Sequence, residues 1–142
     1  MLDVKYFNLL PTVSDVGTAI DDLQWSSLLL AISGFEAYRR QHHMIQIPKV
    51  VEFFLFNPKF PRSVSYCVQQ ADHSLREVLD RPIDQLPGPA EHVSSALVHR
   101  LNHTGVKEVL AGGMHQFVDQ LQRELNQLGD AISQELFHAQ PA

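Results

Sequence analysis

The sequence predicts an all-α fold, a bundle of about five or six helices. Three observations carry this. Apolar residues recur at steps of three and four along most of the chain. No two segments alternate as paired strands would. Proline and glycine fall between the periodic runs, at Pro11, Pro48, Pro61, Pro82 and Gly105, where helices start or stop.

Taken in order, Leu2, Tyr6, Leu9 and Leu10 make one or two helical turns that Pro11 ends. This opening has an apolar face and no N-cap, so it reads as the end of a helix. Residues 11–21 are rich in Ser, Asp, Gly and Thr and read as a loop. A second helix is expected over about Asp22 to His43, on the spacing of Trp25, Leu28, Leu29, Ile32, Phe35 and Tyr38. Gly34 within it is a weak point or a place of close helix approach. Glu36 and Arg40 stand four apart, a spacing that permits pairing.

Pro48 suits the first turn of a short third helix, which Asn57-Pro58 closes. Its interior, Val50 to Phe56, is apolar almost all round, a pattern that a buried strand shares. Helix is preferred because no second strand exists to pair with it. Pro61 opens a fourth helix, whose seam is Val64, Val68, Ala71, Leu75 and Val78; Arg81-Pro82 stops it. Residues 82–90 form a stiff connector. A fifth helix covers about Glu91 to His103, with Val93, Leu97 and Leu101 facing inward. The last runs from about Val106 to Phe137 on a stripe of Phe117, Leu121, Leu125, Leu128, Ile132 and Leu136, with a break expected at Gly112-Gly113. Residues 139–142 are a frayed tail, and residues 1–142 read as one domain.

Composition narrows the function classes. The single cysteine, Cys67, excludes an internal disulfide framework and a Cys-rich zinc module. A net charge of -5 argues against a general nucleic-acid binder. The longest apolar stretch falls far short of the ~20 residues of a membrane span, and no secretory leader is visible. A cytoplasmic protein is expected.

Several clusters could carry chemistry. His92, His99 and His103 line one face of the fifth helix, and a pair four apart can chelate a metal; the reading chosen is a solvated polar face, with no metal site and no cofactor assigned. Cys67 and His73 lie on different sides of the fourth helix, and Cys67 reads as a small buried residue. Asp72, Glu77 and Asp80 read as that helix's exposed face. Phe53, Phe54, Phe56 and Phe60 read as core or as a docking surface. Glu36, Tyr38, Arg39 and Arg40, with Arg62 and Ser63 after Pro61, are the candidate binding residues. An arginine beside free helix N–H groups suits an anion or a carboxylate. The reading preferred for these residues is a structural ion pair that fixes two helices. No catalytic residue is identifiable, and no P-loop, Rossmann, G-x-S-x-G or HExxH pattern occurs.

The strings Trp25-Ser26-Ser27-Leu28-Leu29, Phe35-Glu36-Ala37-Tyr38-Arg39-Arg40, Val50-Val51-Glu52-Phe53-Phe54-Leu55, Phe60-Pro61-Arg62-Ser63-Val64 and Tyr66-Cys67-Val68, with the opening Leu2-Asp3-Val4-Lys5-Tyr6-Phe7, resemble the bacterial alpha-E domain family. The likeness is good over residues 1 to about 80 and weaker beyond 90. The family is all-helical and is named partly for a Glu-Arg motif, expected just upstream of the segment matching Leu2-Asp3-Val4. The chain therefore resembles the C-terminal portion of a longer alpha-E protein.

The resemblance implies a setting beside a circularly permuted ATP-grasp ligase and transglutaminase-like peptidases. It implies a binding or structural role for Glu36, Tyr38, Arg39, Arg40, Arg62 and Ser63. The expected function is a non-catalytic binding or scaffold module acting with such a ligase. The alternative is an enzyme of peptide or amide metabolism whose site needs the missing Glu-Arg segment and a pocket joining Glu36, Arg40 and Arg62. A chain lacking its first helix is also expected to self-associate through an exposed apolar face.

Overall fold

Helices need partners for the polar groups at their ends, and the ends in this chain explain most of its layout. The computed structural model describes residues 19–82 and 85–137. The expected first turns, most of the loop after them and the tail lie outside those residues. Among the described residues there are seven helices and no strand. They are α1 (Ala19–Ala31), α2 (Phe35–Gln41), α3 (Ile47–Phe56), α4 (Val64–Leu79), α5 (Pro89–His103), α6 (Val106–Gly112) and α7 (Met114–Phe137). The all-α expectation holds.

The single helix expected over Asp22 to His43 is two helices. Gly34 N–H donates to the Leu29 carbonyl at 2.7 Å and Ser33 N–H to the Leu30 carbonyl at 2.8 Å. These two bonds are a Schellman ending for α1. Its left-handed position is held by Ser33, at φ 54°, where glycine is the usual occupant. Gly34 then starts α2 at φ -101°. Its lack of a side chain serves packing instead: a Cβ there would stand 2.9 Å from Phe60 Cζ and 3.1 Å from Phe53 Cε1. The close approach expected at Gly34 is borne out.

The last helix is likewise two, α6 and α7, as its glycine pair suggested. Gly113 sits between them at φ 99°, a conformation that L side chains rarely adopt. Pro48 lies in the first turn of α3 and Asn57 caps its end. The fourth helix begins at Val64 rather than Pro61, because the Ser63 hydroxyl accepts from Tyr66 N–H and so fixes the N-cap. The fifth begins at Pro89, not Glu91, with Pro89 in its first turn.

α4 packs on α5 and α5 on α7, while α3 touches α4 and α6, and α1 touches α2 and α3. The core is continuous from Trp25 and Leu29 through Tyr38, Val50, Phe53 and Leu55 to Leu97, Leu101, Val109, Leu121 and Leu128. Phe53 and Phe60 stack with centroids 4.5 Å apart, and Tyr38 meets Phe53 edge-on at 5.5 Å.

Two seams match expectation at most positions, among them Val68 and Leu75 on α4 and Phe117, Leu121, Leu128 and Ile132 on α7, and differ at the rest. On α4 the inward face is Ser65, Val68, Asp72, Leu75 and Leu79, while Ala71 and Val78 are exposed. On α7 it is Met114, Phe117, Leu121, Glu124, Leu128, Ile132 and Glu135; Leu125 and Leu136 turn outward. Polar residues hold places in both buried faces, so the apolar pattern alone points slightly aside of the true contact.

Candidate functional site

The candidate binding residues fall into two groups once their surroundings are seen. Tyr38 is fully buried. Its hydroxyl donates to the Met44 carbonyl at 3.0 Å and accepts from Gln46 N–H at 3.4 Å, which ties the α2–α3 loop to the core. Burial pushes its phenol above the ordinary range, and the Gln46 N–H only partly opposes this. Ser63 is also fully buried. Its hydroxyl donates to the Asn57 carbonyl at 2.5 Å while accepting from Tyr66 N–H. The Asn57 side chain completes the corner, accepting from Lys59 and Phe60 N–H groups and donating to Gln41 at 2.9 Å. Tyr38 and Ser63 are thus positioning residues beneath a surface.

Glu36, Arg39, Arg40 and Arg62 are all exposed. Arg62 Nη1 donates to the Ile32 carbonyl at 2.8 Å. The Arg39 guanidinium lies 5.7 Å from the centre of the Phe35 ring. The interhelical ion pair considered for these residues is not formed: among the described residues, no carboxylate pairs with Arg39, Arg40 or Arg62, and Glu36 does not pair with Arg40. Three of these four exposed residues are cationic, on a chain of net charge -5.

Two clefts lined by described residues lie elsewhere. One of about 210 Å³, lined by Gln41, His42, Glu52 and Phe56, adjoins the far end of α2. Burial there pushes the His42 imidazole below its ordinary range; Lys49 and His43 act the same way, and Glu52 opposes them. A cleft of about 300 Å³ runs between α5 and α7, with Arg100, Gln120 and Glu124 on its walls. Neither draws Glu36, Arg40 and Arg62 together.

The strongest electrostatic construction was not visible in the sequence. Arg81, in the connector after α4, pairs with Glu91 at 3.0 Å and with Glu135 of α7. Glu91 accepts from Gly88 N–H at 2.8 Å, and Glu135 from Ala90 N–H at 3.0 Å. Two carboxylates therefore satisfy free N–H groups at the start of α5 and share one guanidinium. A Cβ at Gly88 would collide with both Glu135 and Arg81. One turn along, Asp72 of α4 accepts from Ser94 at 2.6 Å and from Arg76 Nε at 2.9 Å, and Arg76 also reaches Ser95 at 2.6 Å.

Asp72 is therefore an interface residue and not part of an exposed face; Glu77 and Asp80 are exposed as expected. Arg100 repeats the theme on α7, pairing with Glu124 at 2.8 Å while its guanidinium lies 4.9 Å from the centre of the Phe117 ring. The only hint in the sequence was that Glu124 and Glu135 share the helical phase of Leu121 and Leu128.

Cys67 is exposed, which corrects the buried reading. Its thiol faces the Pro61 carbonyl at 3.5 Å. His92, His99 and His103 are exposed on α5. Among the described residues no group of three or more His, Cys, Asp or Glu could hold a metal ion, and no helix is long and apolar enough to cross a membrane.

A family model described as a predicted alpha-helical domain with a conserved ER motif matches residues 1–137. No curated protein and no solved structure gives a significant match.

Proposed function

The chain belongs to the Alpha-E family, and from that premise we propose that it is a non-catalytic binding or scaffold module working with an ATP-grasp-type peptide or amide ligase. One observation supports this most: Arg39, Arg40 and Arg62 are exposed on neighbouring segments without carboxylate partners among the described residues. The backbone under them is held by buried Tyr38 and Ser63. A preorganised cationic surface suits an acidic peptide or an acidic face of the ligase. A reacting centre needs groups converging on one point, and the clefts beside α2 and along α5 and α7 are lined by other residues. That favours binding over the alternative of an enzyme of peptide or amide metabolism.

The test is retention of the ligase from the same gene neighbourhood, and of an acidic peptide, on the immobilised chain. The double variant Arg39→Glu/Arg40→Glu should weaken both by tenfold or more with an unchanged far-UV circular dichroism spectrum. Wild-type retention should fall as salt rises. Equal retention by wild type and variant, or none by wild type, would refute the proposal.

A further inference from the structure

α5 and α7 run antiparallel: Arg100 pairs with Glu124 near one end, and Ala90 N–H meets Glu135 near the other. Two clefts open between them. The cleft of about 300 Å³ lies over Val93, Ala96 and Leu97. A second, of about 520 Å³, lies among Leu86, Pro87, Pro89 and Ala131. The α7 residues Gln120, Glu124, Gln127, Ala131 and Gln134 line one or the other. They follow steps of four, three, four and three, which is a single stripe of a helix. The clefts are therefore two parts of one groove. Glu124 in the first and Gln134 in the second are about 15 Å apart along the axis, at a rise of 1.5 Å per residue.

Gln120, Gln127 and Gln134 recur every seven residues along this rim. Gln120 is bonded to Glu124 and Arg123. Gln127 and Gln134 are exposed and hydrogen-bond to no other described residue. A carboxamide offers two donors and an acceptor, the complement of a peptide group. A helical ligand spends its peptide groups on itself, whereas an extended chain leaves them free. The charged lining residues are already paired, Arg100 with Glu124 and Arg81 with Glu135. The lining therefore carries no net charge and suits a neutral ligand.

We propose that the α5–α7 groove binds an uncharged, extended segment of polypeptide. Apolar side chains four residues apart enter the two clefts, and Gln127 and Gln134 hydrogen-bond the backbone between them. In an extended chain such side chains point the same way and lie about 13 Å apart. The larger cleft takes the larger side chain. The site is separate from the arginines of α2 and does not rest on their role.

Titrating the full chain with acetyl-Leu-Ser-Gly-Ser-Phe-amide and with its reverse, acetyl-Phe-Ser-Gly-Ser-Leu-amide, tests this by heteronuclear NMR. One of the two should saturate and shift the side-chain amide signals of Gln127 and Gln134. Raising the salt should leave that affinity within twofold, since no net charge is matched. Gln127→Ala and Gln134→Ala should each weaken binding fivefold or more. Ala131→Phe, which fills the second cleft, should weaken it tenfold or more. All three should keep the wild-type circular dichroism. Acetyl-Leu-Ser-Phe-amide, too short to reach both clefts, should bind tenfold more weakly, and Arg39→Glu/Arg40→Glu should bind the longer peptide as wild type does. No saturable binding of either longer peptide, undiminished binding by the three groove variants, or equal binding of the short peptide would overturn the assignment.

Discussion

Arg62 Nη1 donates a 2.8 Å hydrogen bond to the carbonyl of Ile32, thirty residues earlier in the chain. That carbonyl is one of the orphan acceptors at the end of α1. The bond joins the segment before α4 to the corner between α1 and α2, and a positive charge at a helix C-terminus is favourable in itself. One of the exposed arginines thus also braces the corner between α1 and α2.

Two neighbouring substitutions at this corner should act in opposite directions. Ser33→Gly relieves a left-handed serine at φ 54° and should stabilise the protein by about 1 kcal/mol. Gly34→Ala drives a Cβ to 2.9 Å from Phe60 and 3.1 Å from Phe53. The stacked ring pair must move, at a cost of about 1–3 kcal/mol. Urea unfolding of the two variants measures both.

Ser63→Ala removes the N-cap of α4 and leaves the Asn57 carbonyl without its hydroxyl donor. The loss should be about 2 kcal/mol, read as a lower urea midpoint with an unchanged slope. Ser63→Thr, which keeps the hydroxyl, should recover part of it.

Arg81→Met should be among the most damaging single changes in the charged layer. It leaves Glu91 and Glu135, with side chains 8% and 11% exposed, without their shared cation. The expected cost is about 3 kcal/mol. Adding Glu135→Gln to that variant should restore part of the stability, which a double-mutant cycle quantifies.

Asp72 makes stability pH-dependent. Burial alone would raise its pKa, but the Arg76 and Ser94 hydrogen bonds, with the charges of Arg76 and His73, more than offset that and hold it below the ordinary value of 3.8. A depressed folded-state pKa gives stabilisation that is complete above the unfolded value and is lost as pH falls through the folded one. Asp72→Asn should flatten the acid limb of unfolding free energy against pH and leave the profile's shape above about pH 6 unchanged.

The helical class and most helix ends were readable because they depend on local rules. Pro48 in a first turn, Asn57 after α3 and the Gly112-Gly113 break act through backbone dihedrals and missing donors, which neighbours in sequence decide. The α1–α2 break was misplaced into one long helix because its stop signal is a serine, and serine is not a usual left-handed residue. The α4 and α7 seams were misread only at Ala71, Val78, Leu125 and Leu136, because Asp72, Glu124 and Glu135 occupy inward places that charge normally forbids.

The sequence by itself determined an all-helical chain, its family, and the residues Glu36, Tyr38, Arg39, Arg40, Arg62 and Ser63 as a group worth locating. Only the tertiary structure decided that Tyr38 and Ser63 lie beneath the surface and the arginines upon it. It also decided that Arg81 draws Glu91 and Glu135 together from positions 44 residues apart in the chain. A carboxylate is stable in a buried face only when a specific cation or N–H group meets it. That partner comes from a distant helix, so no local reading of spacing and composition contains it.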